Sequence, residues 1–460
     1  MSKSRQTNKN KQDLTTGSLT KHLRRLSLPM MGGIFAIVSV NVIDTYFISL
    51  LGTDQLAAVS FSFPVTFATL SFILGLGVAM SSIISRAIGQ GDISHARRLL
   101  FHGLVCGFLF SLLISFIGIW GQEWLFSKMQ ADKNIMPYIL EYTSIWFMGI
   151  ALVALPIIGN AAMRGAGDSL SPSIIMMAIA IANLILDPLL IFGLLGLPAL
   201  GIQGAATATV ISYAAGMFGG FLVLIRYKKL LTAQDLNLNG FKESVRQLLH
   251  IGLPAGLSNM MQPLSNAIIV ALLAYFSTQA VAGYGVATRI QSFVLVPIMA
   301  LSTGLAAITG QNWGKKSFTR VDQALRLALS VNIGWGVFVA IILALFAQPV
   351  ATLFSKEPEV IKMTVLYLTI MPITFIGAQS VQLWSSSFNA CGYPKRAFLV
   401  LNSKIFVFFL PFAFLGGWFY NIPGVIMGMA LGNVVAGVAI HFLNRHFFLH
   451  EEARAKTRAG

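Results

Sequence analysis

Apolar residues in this 460-residue chain run in blocks of about twenty, each parted from the next by a short polar stretch. About twenty residues at 1.5 Å each is the length a helix needs to cross roughly 30 Å of hydrocarbon. Twelve blocks can be read, at about 25–50, 59–86, 99–121, 138–160, 170–193, 200–226, 249–276, 282–309, 323–348, 361–388, 396–417 and 422–445. They predict an all-α integral membrane protein of twelve transmembrane helices. Two acids break the pattern. Asp44 and Asp187 lie within blocks, whereas every other Asp and Glu falls in a loop, a tail or a helix end. A carboxylate in hydrocarbon costs roughly 2.5–3.5 kcal/mol on insertion scales, so it is kept where it faces water, a partner or a transported ion.

The blocks repeat. LPMMGGIFAIVSVNVIDTYFISLLGTDQLAAVS from Leu28 aligns with LPAGLSNMMQPLSNAIIVALLAYFSTQAVAGYG from Leu253, with one insertion. The loop ISRAIGQGDISHARR (84–98) corresponds to ITGQNWGKKSFTRVD (308–322), AAMRGAGDSLSP after block four to SSFNACGYPKRA after block ten, and Pro188 to Pro411. Each half holds an even number of spans, so the halves share one orientation. Parallel repeats related by an axis along the membrane normal favour a central cavity between two six-helix lobes. The expected organisation is a disordered cytoplasmic tail (1–22), a first lobe (23–226), a polar cytoplasmic linker (227–248), a second lobe (249–446) and a cytoplasmic tail (447–460). The linker has amphipathic spacing from Phe241, which predicts a segment along the membrane surface.

Composition narrows the class. At 56% hydrophobic and 10% charged residues, the chain is no ordinary soluble domain. Its net charge of +16 would suit nucleic acid, but the distribution of the 32 Lys and Arg says otherwise. With both termini inside, only Lys128, Lys133, Lys356 and Lys362 fall outside, and Arg289 and Lys404 lie within spans. This is the positive-inside bias of a multi-pass protein of a plasma membrane, with the bacterial inner membrane as the expected site. Cys106 and Cys391 lie in or beside spans and suggest no disulfide framework. The seven histidines lie near cytoplasmic ends without metal-ligand clustering and read as headgroup-facing. GQNWGKKS (310–317) is one residue short of a phosphate loop and follows no strand, so it reads as a basic membrane loop. No nucleophile–base constellation appears, and neither an enzyme nor a cofactor is expected.

The two acids fall at one depth. Asp44 lies about seven residues inside the outer end of span one and Asp187 about six inside that of span five, roughly 10 Å below the surface. Asn183 and Asn41 sit one turn inward on the respective faces. Thr209 in span six and Tyr142 in span four reach the same layer. Such an oxygen-rich pocket suits a proton, because desolvation and a second carboxylate both favour a carboxyl group's neutral form. Its oxygens equally suit sodium, held by Asp44, Asn183, Asp187 and Thr209. Pro188 has no N–H, which frees a backbone carbonyl and offers a hinge in span five. The repeat shows that the second half lacks these acids: its equivalents are Ile268 or Ile269, Leu410 and Phe406. Gly424, Gly428 and Gly432, four residues apart, suit close helix packing in span twelve.

In order and spacing, NVIDTYFISLLGTDQLAAVS, NAAMRGAGDSLSP, NLILDPLLIFG and GIQGAATATVIS resemble the multidrug and toxic compound extrusion (MATE) transporters, over about Leu23 to Arg445. The resemblance implies two six-helix bundles around a V-shaped cavity, and export of amphipathic, often cationic, drugs against proton or sodium entry. It implies a first-lobe cation site at Asp44, Asn183, Asp187, Thr209 and Tyr142, with Asn160 a further polar position. Some branches carry acids in spans seven and ten. Here span seven offers Gln262 and span ten neutral residues such as Gln379, Gln382 and Ser385, which is similar to the DinF-like branch. Asn41, Asn160, Phe61, Met177, Gln262 and Arg289 are the candidates for a cavity or substrate surface. The leading reading is proton-coupled drug antiport by a monomer. Export of a lipid-linked precursor by a related flippase is the alternative, and a membrane scaffold or receptor the non-transport one.

Overall fold

The computed structural model describes residues 13–232 and 236–457. Among them there is no strand, and the chain forms fourteen α-helices. These are α1 Leu19–Ser49, α2 Thr53–Gly89, α3 Ile93–Lys128, α4 Met136–Gly165, α5 Leu170–Phe192, α6 Gly201–Leu222 and α7 Phe241–Phe276. They continue as α8 Thr278–Val294, α9 Val296–Gly314, α10 Phe318–Phe354, α11 Pro358–Cys391, α12 Pro394–Ser403, α13 Leu410–Asn444 and α14 Phe447–Thr457. Short loops with local stop signals separate them. Asp92 caps α3 by accepting from His95 N at 2.8 Å, and Ser277 caps α8. Left-handed glycines, Gly193 and Gly392, end α5 and α11.

Ten helical runs are each long and apolar enough to span a membrane, and α8 with α9 makes an eleventh bent by 44°. The run Pro394–Glu451 accounts for two spans. Its backbone leaves the helix at Tyr420 and Asn421 (φ 54°, ψ −138°) and turns back on itself. Gly424, Gly428 and Gly432 face the backbone of Gly416, Phe412 and Phe409 so closely that a Cβ would lie 1.9, 2.0 and 2.8 Å from it. The glycine ladder read from the sequence is thus where spans eleven and twelve meet. Twelve spans result.

The described residues form two compact units, one of Leu28–Gly256 and the other of Asp13–Ser27 with the chain from Leu257 to Thr457. In the first, α4 is the central helix and packs on α2, α3 and α6. In the second, α11 occupies that role, packed on α9, α10 and α13.

Three boundaries differ from expectation. The expected N-terminal tail lies outside the described residues through position 12, but from Asp13 it is docked in the second unit. Leu14 is fully buried there; its N–H donates to Gln311 Oε1 at 3.0 Å, and Asn312 donates to its carbonyl at 3.1 Å. Arg320 and Lys315 hold Gly17 and Thr15, so the supposed basic loop is a clamp. The expected surface segment from Phe241 is the opening of α7, which continues unbroken through Phe276. The expected C-terminal tail begins as α14, whose Phe448 is fully buried against Trp384 and Trp313. In the two docked termini, apolar anchors set between polar residues are too short for a periodicity to reveal.

Candidate functional site

Asn183 and Asp187 stand one turn apart on α5, and both are buried. The Asn183 amide donates to Asp187 Oδ1 at 3.0 Å and reaches Thr209 Oγ1 of α6 at 3.5 Å. Gly204 permits that approach: a Cβ there would lie 2.5 Å from the Leu190 carbonyl oxygen, so α6 and α5 meet backbone to backbone. On the other side, α1 lies against α5. Gly33 faces the Ser173 backbone, and the Ser173 hydroxyl donates to the Pro29 carbonyl.

Asp44 of α1 is half-buried, and its Oδ1 is shut away without a hydrogen-bond partner. Asp187 Oδ2 is in the same state. The two carboxylates lie close enough to act on one another, and both act on the Tyr142 hydroxyl of α4. The structure therefore brings Asp44, Asn183, Asp187, Thr209 and Tyr142 together in the first unit. Phe47, Ile48, Ile191, Phe192 and Ala205 form an apolar cluster with Tyr142, Phe47 meeting Phe192 edge to face at 6.2 Å. These residues were not singled out from the sequence. Their signal is an aromatic or branched residue three to five positions after each acid, in DTYFI and DPLLIF.

Other candidates stand apart. Asn41 donates to the Ile37 carbonyl of its own helix at 2.8 Å and is exposed. Asn160 is buried but lies eighteen residues along α4 from Tyr142, about 27 Å at the helical rise. Phe61 packs on Phe126 with ring centres 6.5 Å apart, in an apolar cluster that Tyr142 also borders. Met177 is exposed, its sulfur near Gly32. Gln262 on α7 and Arg289 on α8 belong to the second unit and are exposed. Pro188 lies inside α5, which runs helical from Leu170 to Phe192 across it.

Chemically, two carboxyl groups with unpartnered oxygens, one amide, one hydroxyl and one phenol offer oxygen ligands of the kind that can take a proton or a small cation. Two like charges in a dry site repel strongly unless a proton or cation comes between them. Among the described residues no group of three or more His, Cys, Asp or Glu is placed to hold a metal.

A twelve-span helical protein built as two related units, with a carboxylate pair buried in one of them, has the make-up of a membrane carrier. The MatE family model matches residues 29–189 and 254–415, and the chain belongs to this family, whose members are transporters and not enzymes. It is 36% identical over 436 residues to a FAD transporter of Shewanella oneidensis, covering 95% of this chain and 96% of that one. It is 28% identical over 346 residues to the probable multidrug resistance protein YoeA of Bacillus subtilis, covering 74% of each. Among solved structures it resembles the MATE transporter VcmN of Vibrio cholerae in the bent form, with a TM-score of 0.88 and 32% identity. That match covers 96% of this chain and 99% of the other.

Proposed function

We propose that this chain is a secondary active exporter of small molecules, driven by cation entry at Asp44 and Asp187, with the proton as the coupling ion. One observation carries the reading: Asp44 Oδ1 and Asp187 Oδ2 are buried, unpartnered and within each other's field. A carboxyl proton answers that arrangement, since it removes the repulsion and supplies the missing donor. Proton binding draws α1 and α5 together around Asn183 and Thr209, with Pro188 as the hinge, and the substrate leaves outward. Release of the proton inward resets the carrier. Coupling requires only that proton and substrate bind different conformations with unequal affinity.

The multidrug-resistance relatives favour drugs as substrates; the reading takes these as amphipathic and often cationic, carried by a monomer in a bacterial inner membrane with both termini in the cytoplasm. A second substrate reading is favoured by the Shewanella relative, which matches nearly the full chain: export of a flavin dinucleotide. The test is efflux from proteoliposomes under separately imposed proton and sodium gradients, with a cationic dye in one set and FAD in another. Proton-driven efflux of dye supports the leading reading, and efflux of FAD alone replaces its substrate. Flux that follows only the sodium gradient replaces the coupling ion, and flux indifferent to both gradients removes the antiport mechanism.

A further inference from the structure

Lys404 is a charged side chain within the second unit's spans that the proposed cycle does not use. It opens a wider helical turn, Lys404–Phe409, which joins α12 to α13, and π-type turns of this kind often mark functional sites. It lies about 15 Å along the helix from Pro394 and about 24 Å from the break at Tyr420, far from either end. Ala397, Val400 and Lys404 follow one another at helical spacing, and the first two are buried, so the lysine continues a stripe that faces the unit's interior. Its ammonium is not sealed off, and it has no ion pair or hydrogen bond among the described residues. Every acid of the unit lies in a terminal segment or beside the opening turns of a helix, and Asp322 is already paired with Arg326 at 2.7 Å. An ammonium kept in a span with no acid to answer it calls for a partner that comes and goes.

A polar layer at the level of Lys404 supplies the second observation. A Cβ on Gly377 of α11 would lie 2.4 Å from the Asn433 carbonyl oxygen, and one on Gly432 would lie 2.9 Å from the Phe408 carbonyl oxygen. Gly377 and Phe408 are therefore level, and from them Gln379 and Lys404 lie two and four residues away in the same direction. The Asn402 amide reaches Ser258 Oγ of α7 at 3.4 Å, and from that contact Gln262 and Lys404 lie four and two residues away in the other direction. Gln262, Gln379 and Lys404 thus fall within about 3 Å of one level on three helices. Neither glutamine is sealed off or hydrogen-bonded among the described residues. Gln262 stands in a stripe with Ser258, Ser265 and Ile269, all three buried, so its opening is on the core-facing side of α7. The layer falls where one apolar cluster gives way to another, with Val400 in the first and Ile405 in the second.

We propose that Lys404, Gln262 and Gln379 form a substrate-recognition site for an anionic oxygen group, the phosphate of a nucleotide-like substrate. The inference rests on the export reading above and deepens its flavin dinucleotide alternative. The ammonium supplies the counter-charge, and the glutamine amides donate to the remaining phosphate oxygens. Unpartnered acceptors in the first unit and unpartnered donors in the second then give each of the two transported species a unit of its own.

The test is equilibrium binding to the full chain in detergent, followed by the flavin's own fluorescence anisotropy, with FAD and with riboflavin, which lacks the phosphates. Wild type should bind FAD more tightly than riboflavin. Lys404→Met keeps the side chain's length and removes its charge. It should weaken FAD binding about tenfold or more, the worth of a charge-assisted hydrogen bond, and leave riboflavin unchanged. Its melting temperature should hold or rise, because an unpaired interior charge is gone. Lys404→Arg restores the charge and should keep most of the FAD affinity. Equal FAD affinity in wild type and Lys404→Met overturns the proposal, as does an equal loss for FAD and riboflavin. Proton-driven dye efflux by a chain that does not bind FAD overturns this inference and keeps the exporter. FAD binding that is lost in Lys404→Met, in a chain without gradient-driven flux, supports the site and removes the exporter.

Discussion

The two units use the same helices at the same repeat positions and fill them with opposite chemistry. In the first unit, Asp44, Asp187 and Tyr142 lie within electrostatic reach of one another, with two carboxylate oxygens unpartnered. At the repeat-equivalent positions of the second, Ile269, Leu410 and Tyr367 are buried in one apolar cluster. There the tyrosine hydroxyl is satisfied by Gln291, and the neighbouring Tyr284 donates to Asn266 Oδ1 at 2.7 Å. One scaffold therefore stands on apolar packing and neutral hydrogen bonds, without a carboxylate at these positions. The corner after the central helix shows the same divergence. Asp168 closes it in the first unit with an ion pair to Lys228 at 2.7 Å, and its counterpart Tyr393 closes it in the second by edge packing on Trp313 and Phe447.

That contrast can be broken by experiment. The largest effect is expected from moving the acid into the wrong unit. Ile269→Asp buries a carboxylate in an apolar cluster, costing roughly 2.5–3.5 kcal/mol or more, and should cut folded yield and melting temperature sharply. An unchanged melting temperature would show that the second core is not dry. Next comes Asp187→Asn, which keeps an acceptor for Asn183. Folded yield should hold while gradient-driven efflux falls by about 5–150-fold, the span of a 1–3 kcal/mol coupling. Wild-type efflux in this variant would remove Asp187 from the coupling site.

Thr209→Val sharpens the site's edge. It deletes a long contact, 3.5 Å from Asn183, worth about 0.5–1.5 kcal/mol, so efflux should fall less than in Asp187→Asn. A loss as complete as that of the carboxylate variant would make the hydroxyl a direct cation ligand.

The smallest effect concerns acid. Burial raises the Asp168 carboxyl, but Lys228 and the hydrogen bonds from Ser171 outweigh it and hold the group below its ordinary 3.8. A lowered folded value means stability that is present above about 3.8 and lost as pH falls through that lower value. Wild type should exceed Asp168→Asn in melting temperature at neutral pH, and the gap should close below pH 3.8. A gap that persists at lower pH would assign the stabilisation to the shape of the turn and not to charge.

Much of this was legible because membrane physics is strict. Twelve apolar blocks can only be helices, and an acid in such a block is costly enough to mark a site. The repeat aligns Asp44 with isoleucine in the sequence itself. What escaped has physical reasons too. The break at Tyr420–Asn421 and the 44° bend after Val294 each fall just before a proline, Pro423 and Pro297, which marks where a helix can break but not how far the chain turns. His102 read as headgroup-facing, yet it is buried, bonded to Ser244 Oγ and the Asn237 carbonyl at 2.8 Å each, because the chain following α6 folds back over α3. Asn41 read as part of the pocket from its spacing, but spacing gives a face and not a rotamer, and its amide turned to its own helix.

The burial of Leu14 has a consequence for how the protein is made. Its hydrogen-bond partner Gln311 lies 297 residues later in the chain. At about 5–20 residues per second, ribosomes need roughly 15–60 s to reach it. Through that interval the first span is in the bilayer while the leucine just before it has no core to enter. The N-terminal strap is therefore among the last pieces to find its place. A chain truncated before α9 lacks both Gln311 and Asn312 and leaves Leu14 without its hydrogen-bond partners.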